Sequence, residues 1–168
     1  MISEEMVFRT LEQFDRMNEA QKQTAFVEMQ RKQPHLVVIP LACSQLPQLS
    51  REASRMILEM SVMVWHMMQK DPRPIRKVTR RDVLDLIQNS RASFEQLASD
   101  SEAGYGSAMR SLYKACPEPQ ILKYMFMILF EIDEPDQDKR VFSPLGCIVA
   151  AQCLINLIDA LTKRRRYV

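Results

Sequence analysis

The residue best suited to acid–base chemistry in this sequence is His66, because an imidazole changes its charge close to neutral pH. His66 follows Trp65 in an apolar segment, one helical turn before Lys70 and two turns after Glu59. Paired with Glu59 or Asp159, it would act as a general acid or base, or as a ligand. Alone, it is a histidine at a polar helix edge that makes one structural hydrogen bond. No second catalytic element accompanies it, so we favour the structural interpretation and predict no catalytic residue.

Motifs for metals and cofactors are absent from the sequence. It contains neither C-x-x-C nor H-E-x-x-H, and the acidic run 133–138 lacks the central glycine and closing glutamate of a calcium-binding loop. Gly104 and Gly106 follow no predicted strand and lack the third glycine of a dinucleotide-binding turn. We therefore expect no metal and no cofactor. Four cysteines lie among apolar residues, which indicates buried free thiols: Cys43, Cys116, Cys147 and Cys153.

A basic segment at residues 70–81 is the clearest anomaly in the charge pattern, with six cations opposed only by Asp71 within it and Asp82 directly after it. Arg80 and Arg81 fall in the first turn of a predicted helix, where a cation opposes the helix dipole at a cost of about 0.3–1 kcal/mol. Three partners would offset this cost: an anion such as phosphate or nucleic acid, the acidic run 131–138, or water alone. The first alternative predicts an anion-binding site of five residues: Arg73, Arg76, Lys77, Arg80 and Arg81.

The elements that position these side chains are predicted to be helices. Apolar residues recur with the helical period along the chain, so we predict an all-α fold of about eight helices. Only three glycines occur, which disfavours folds with many tight hairpins. Capping residues and prolines mark where helices start. The predicted helices begin at or directly after Ser3, Asn18, Pro34, Ser50, Thr79, Ser107, Pro119 and Ser143.

Two segments, Met56–Met68 and Cys147–Leu161, are apolar nearly all round. Helices of this kind lie in the middle of a bundle, so we predict that both are central to a single domain, residues 1–168. Neither has the roughly 20 nearly uncharged residues that a membrane span needs. The chain starts without a signal-peptide pattern, and its net charge of +2 demands neither nucleic acid nor an acidic membrane as partner. We therefore expect a cytoplasmic protein with no membrane partner.

The halves 1–77 and 78–168 resemble each other. At an offset of 93 residues, Ser50 aligns with Ser143, and both precede a long apolar helix. Two alternatives stay open: an internal duplication that would make two four-helix units, or a chance likeness between buried helices that each need one polar edge. The same offset aligns a polar stripe on the two long helices, in which Glu59 matches Gln152 and His66 matches Asp159.

For function, the leading hypothesis is a non-enzymatic protein–protein interaction or assembly protein that uses an apolar helix face and forms a homodimer. Methionines are adaptable side chains that fill irregular cores or line docking grooves, and five of them cluster on one predicted helix: Met56, Met60, Met63, Met67 and Met68. Two alternatives remain. One is anion or nucleic-acid binding through residues 70–81, and the other is an enzyme with a helical pocket around His66.

Overall fold

The computed structural model describes residues 2–47, 49–72, 75, 77–99, 110, 113–114, 116–130 and 140–163. Within these ranges every regular element is an α-helix and no strand occurs, which confirms the all-α class. Seven helices have bounds in this part of the chain: α1 Glu4–Asp15, α2 Glu19–Lys32, α3 Val38–Ser44, α4 Arg51–Gln69, α5 Arg80–Ser99, α6 Pro119–Leu129 and α7 Pro144–Lys163.

One predicted helix and the acidic run fall mainly outside the described residues. Of the helix expected over about 107–115, Arg110, Tyr113 and Lys114 are described and are helical. Residues 131–138 lie outside, so the structure gives the acidic run no position relative to the basic segment.

Most helix starts follow the predicted caps. Ser3 accepts a hydrogen bond from the backbone N–H of Met6, at 3.3 Å, and opens α1. Asn18 and Gln21 form a reciprocal capping box at the start of α2, with both distances 2.9 Å. Ser50 accepts from the N–H of Ala53 at 3.0 Å and opens α4. Each cap satisfies an N–H that has no partner inside its own helix.

The start of α3 differs from the prediction. We expected the helix to begin at Pro34, but residues 34–37 form turns and α3 begins at Val38. The turn includes a hydrogen bond from the N–H of Leu36 to the carbonyl of Gln33, at 3.0 Å. Pro40 therefore lies in the first turn of α3, where its missing N–H removes no intrahelical bond. Either proline suits a first turn, so the local pattern did not distinguish them.

The two long apolar helices form the centre of the fold, as predicted. α4 packs against α1, α2, α3, α6 and α7, while α7 packs against α3, α4, α5 and α6. Side chains fully removed from solvent run along the length of both helices: Ile57, Val64, Met67 and Met68 on α4, and Ala150, Leu154, Leu157, Ile158 and Leu161 on α7.

The window Leu145–Thr162 of α7 is long and apolar enough to cross a membrane by length and composition alone. It is also 83% buried inside the protein, as the core helix of a globular fold would be. Its apolar composition is therefore accounted for by packing against its four neighbouring helices.

The methionine cluster of α4 belongs to the core. Met60, Met63, Met67 and Met68 are buried, and Met56 is half-buried against the same cluster. Of the two roles considered for these side chains, the structure favours core filling over a docking groove.

Candidate functional site

The Glu59 end of the polar stripe on α4 is occupied by ion pairs. The Glu59 carboxylate lies 3.1 Å from the Nζ of Lys22 on α2 and 3.5 Å from the Nε of Arg55 on its own helix. The groups are partly exposed, so each pair contributes about 0–1 kcal/mol. Glu59 thus joins α2 to α4 and already has two cations beside it.

His66 lies half-buried further along the same stripe. Its Nε2 atom is buried without a hydrogen-bond partner among the described residues, and its ring packs edge-on against Trp65 with 5.0 Å between ring centroids. Burial lowers the pKa of His66; the carboxylate of Glu28 opposes this, and Lys70 and Lys32 lower the pKa further. The imidazole is therefore held in its neutral form near neutral pH.

The polar stripe on α7 has different neighbours. The Gln152 side-chain amide donates to the Oδ1 of Asn156, at 3.2 Å, and the Gln152 Oε1 is buried with no partner among the described residues. Asp159, one turn further, acts on Cys116. Burial is the main cause that raises the pKa of the Cys116 thiol to about 11, and the charge of Asp159 adds to it. This thiol stays protonated and is a poor nucleophile.

The four stripe residues are not brought together. Glu59 and His66 interact with α2, whereas Asp159 interacts with the segment that precedes α6. No hydrogen bond or ion pair within the described part of the chain joins Glu59 or His66 to Asp159. The acid–base arrangement that would make His66 catalytic is therefore not assembled by these contacts. Nor do the described residues contain a group of three or more potential metal ligands.

The basic segment is described only in part. Arg73 and Arg76 lie outside the described residues; Lys77, Arg80 and Arg81 are exposed. The unfavourable interaction of Arg80 and Arg81 with the helix dipole is offset by groups of the chain itself. The N–H of Thr79 donates to the Asp82 Oδ2 at 2.8 Å, and the N–H of Asp82 donates to the Thr79 Oγ1 at 3.3 Å. This cap places a carboxylate in the first turn of α5, so no bound anion is needed there.

A cleft of about 530 Å³ lies between the C-terminal ends of α2 and α4 and the segment that leads to α5. The N–H of Val78 donates to the Gln33 Oε1, at 2.9 Å, and holds this segment on α2. Of the described members of the predicted anion site, Lys77 lines the cleft, whereas Arg80 and Arg81 do not. The other lining residues are Lys32, Gln33, Trp65, Gln69, Asp71, Pro72 and Ile75.

Exposed large apolar side chains occur together on and next to two helices that pack against each other, α3 and α5. Of the nine such side chains among the described residues, Val38 and Leu41 lie on α3, Leu84 and Ile87 lie on α5, and Leu46 lies just after α3. We call these five the α3–α5 surface. The remaining four are Phe8, Val27, Met127 and Phe130. This surface was not predicted from the sequence, because docking residues were expected among the methionines of α4, which the fold buries.

On α5 the exposed side carries a distinct pattern. Val83 and Leu86 are buried, whereas Leu84 is 47% exposed. Arg81 and Asp85, one turn apart beside Leu84, are both exposed, and neither has an ion-pair or hydrogen-bond partner among the described residues. An apolar centre flanked by one unpaired cation and one unpaired anion is a pattern that can bind a copy of itself.

Comparison with known proteins adds no identification: no family model, no curated protein and no solved structure matches this chain.

Proposed function

We propose that this protein is a non-enzymatic assembly protein that forms a homodimer through the α3–α5 surface. The observation that carries the proposal is the grouping of Val38, Leu41, Leu84 and Ile87 on two adjacent helices, outside the core. Single exposed apolar side chains are normal on any protein, but a contiguous group is typical of an interaction site. The described residues contain no group of three or more potential metal ligands, and the Nε2 of His66 has no hydrogen-bond partner among them.

The partner is a second copy because the charges on α5 are self-complementary. In a two-fold dimer, if residue i contacts residue j of the partner, residue j also contacts residue i. In an antiparallel pairing of two α5 helices whose two-fold axis crosses them at the level of residue 83, midway between Arg81 and Asp85, Arg81 lies opposite Asp85 of the partner subunit, and the reverse. Both ion pairs then form at the rim of an apolar contact centred on Leu84.

The size of the contact explains why α3 takes part. Residues 80–88 of α5 extend over about 13 Å, at 1.5 Å per residue. A stable dimer buries about 1,200–2,000 Å² in total, which is more than a helix segment of this length supplies. α3 packs against α5, and the exposed side chains of Val38 and Leu41 on α3, with Leu46 just after it, would enlarge the contact.

Charge exchange at Arg81 and Asp85 tests the pairing directly. We expect the wild-type chain to be a dimer by light scattering and Arg81→Asp and Asp85→Arg each to weaken it, because like charges then face each other. The double variant restores both pairs and the dimer. A mixture of the two single variants forms a heterodimer, since one chain supplies two carboxylates and the other two guanidinium groups. A wild-type chain that is a monomer at all concentrations would overturn the proposal.

The apolar centre has its own test. Leu84→Glu places a charge in the middle of the contact and is expected to yield a folded monomer. Val27→Glu is the matched control, because Val27 is 51% exposed on α2, outside the α3–α5 surface. If both variants, or neither, lose the dimer, the α3–α5 surface is not the interface.

The cleft favours a second function, the binding of a small anion. Lys77 lines it without a partner among the described residues, and Lys32 lines it beside Trp65, with 5.8 Å from the Nζ to the ring centroid. Trp65 is the single tryptophan of the chain, so its fluorescence reports on this site. We expect inorganic phosphate to change the fluorescence of Trp65. This change should weaken in high salt and in Lys77→Glu, but not in the control variant Arg16→Glu. An unchanged spectrum would refute binding here, and binding of DNA alone would instead favour the nucleic-acid alternative.

We also retain internal duplication as a proposal. Ser50 and Ser143 align at the offset of 93, and the side-chain oxygen of each accepts a hydrogen bond from a backbone N–H in the first turn of a central helix, Ala53 of α4 and Gly146 of α7. In each case a shorter helix precedes the long one and packs on it, α3 on α4 and α6 on α7. The sequences of relatives would test the duplication. If it occurred, the two halves of a reconstructed ancestral sequence should be more alike than the two halves of this chain.

A further inference from the structure

A second cavity, of about 160 Å³, lies between α1, α2 and α4 and shares no lining residue with the cleft at Lys77 or with the α3–α5 surface. Much of its wall is apolar, formed by Phe14, Phe26, Leu58 and Val62. An apolar cavity of roughly 150 Å³ is large enough to hold a benzene ring. This cavity therefore has room for one six-membered ring, or for a branched aliphatic group of similar size.

The two helices that form most of the wall run in the same direction. The Nζ of Lys22 on α2 lies 3.1 Å from the Glu59 carboxylate on α4. Further along both helices, the Nζ of Lys32 lies 5.8 Å from the centre of the Trp65 ring. Since both contacts advance together along the sequence, residues one turn after Lys22 and one turn after Glu59 lie at the same end of the cavity.

The cavity is consequently apolar at one end and charged at the other. Phe26 follows Lys22 by one turn and Val62 follows Glu59 by one turn, so these two apolar side chains share an end. Arg55 precedes Glu59 by one turn and lies at the opposite, charged end. This division suits a ligand that has an apolar group and a charged group a few bonds apart.

The charged end contains two cations with one carboxylate between them. One oxygen of Glu59 contacts Lys22, and the other lies 3.5 Å from the Nε of Arg55. The Lys22 ammonium is also held over the Phe14 ring, 5.4 Å from its centre. Arg55 is less engaged: its side chain is 66% exposed, and no described residue accepts a hydrogen bond from its guanidinium. A guanidinium binds a carboxylate through two parallel N–H donors, so Arg55 is ready to receive one.

Glu19 is the other carboxylate that lines the cavity. It is exposed in the first turn of α2, where the positive end of the helix dipole offsets its charge. No ion pair among the described residues joins Glu19 to Arg55. Glu19 thus opposes a bound anion only through water, which screens the repulsion.

We propose that this cavity binds a small carboxylic acid that carries one aromatic ring or a branched aliphatic group of similar size. The ring lies among Phe26, Leu58 and Val62, and the carboxylate pairs with the guanidinium of Arg55. A ligand with a cation in place of the carboxylate would be repelled by Lys22 and Arg55. Binding does not depend on dimerisation, because the cavity lies apart from the α3–α5 surface.

Titration of the wild-type chain with benzoate, followed by NMR of its methyl groups, tests the proposal. We expect the methyl signals of Leu58 and Val62 to shift and to saturate, while those of Val83 on α5 stay unchanged. Acetate, which lacks the ring, and benzylamine, which has the opposite charge, should each bind at least about tenfold more weakly. Absence of shifts up to the solubility limit of benzoate would overturn the proposal, as would equally tight binding of either control compound.

Variants test the part played by each end of the cavity. Arg55→Ala should weaken benzoate binding by about tenfold or more, because a charge-assisted hydrogen bond is lost. Arg51→Ala is the matched control, since Arg51 is exposed one turn earlier on α4 and does not line the cavity. Glu19→Gln should strengthen binding, and Leu58→Trp, which fills the cavity, should abolish it.

Circular dichroism checks that each variant is folded, and the two arginine variants alter only exposed side chains. Equal affinities of Arg55→Ala and Arg51→Ala would overturn the assignment of the carboxylate to Arg55. Weaker binding in Glu19→Gln would overturn the preference for an anion.

Discussion

Replacing Met67 with alanine tests whether the methionines of α4 are core residues. Met67 has 0% of its surface exposed and lies on the central helix. The substitution removes three heavy atoms, worth about 2.4 kcal/mol at about 0.8 kcal/mol for each buried methylene-sized group. The cavity left behind adds to this loss, so the free energy of unfolding should fall by about 2–5 kcal/mol. That is a large share of a typical total of about 5–15 kcal/mol.

Met127→Ala is the matched control, because the substitution is the same but Met127 is 43% exposed on α6. It should change the free energy of unfolding by about 0.5 kcal/mol or less. Both variants are measured by urea denaturation, followed by circular dichroism and by the fluorescence of Trp65. A loss below about 1 kcal/mol for Met67→Ala, or equal losses in the two variants, would refute the assignment of this face to the core.

Two further predictions concern buried polar groups. Because burial lowers the pKa of His66 below its ordinary value of 6.5, the folded state binds the proton less tightly than the unfolded chain, and the free energy of unfolding falls as the pH falls through that value. His66→Gln should reduce this pH-dependent loss, measured by denaturation curves at neutral and mildly acidic pH. A loss that is unchanged in the variant would contradict the stated cause. The buried carboxylate of Glu118 accepts from the N–H of Ile2 at 2.8 Å, so Glu118→Ala should cost about 1–3 kcal/mol by leaving that donor unpaired. Glu118→Gln retains an acceptor and should cost less, and equal costs for the two variants would argue against the hydrogen bond.

Helix caps were predictable because they depend on a few adjacent residues. The side chains of Asn18 and Gln21 each accept a hydrogen bond from the other residue's backbone N–H, whatever the rest of the fold does. The burial of α4 and α7 was also predictable, since a helix that is apolar nearly all round needs neighbours on every side. The start of α3 was not, because Pro34 and Pro40 are equally compatible with a first turn.

The candidate surfaces depend on packing between distant segments, and the sequence alone does not show which helix packs on which. His66 and Asp159 align in the two long helices, but each interacts with a different neighbour. Leu84 has the same apolar character as its buried neighbour Leu86, and only the position of α5 on the core separates them.

The central pairing of α4 with α7 has a consequence for how the chain is made. A ribosome releases α4 well before α7, yet α7 supplies much of the apolar cover that α4 has in the finished fold. Until α7 emerges, the nascent polypeptide exposes the apolar side chains of α4 that α7 later covers. Incomplete chains of this kind associate with one another or with chaperones. A nascent chain stalled just before residue 144 should therefore stay bound to chaperones that recognise exposed apolar surface. The full-length chain should be released from them.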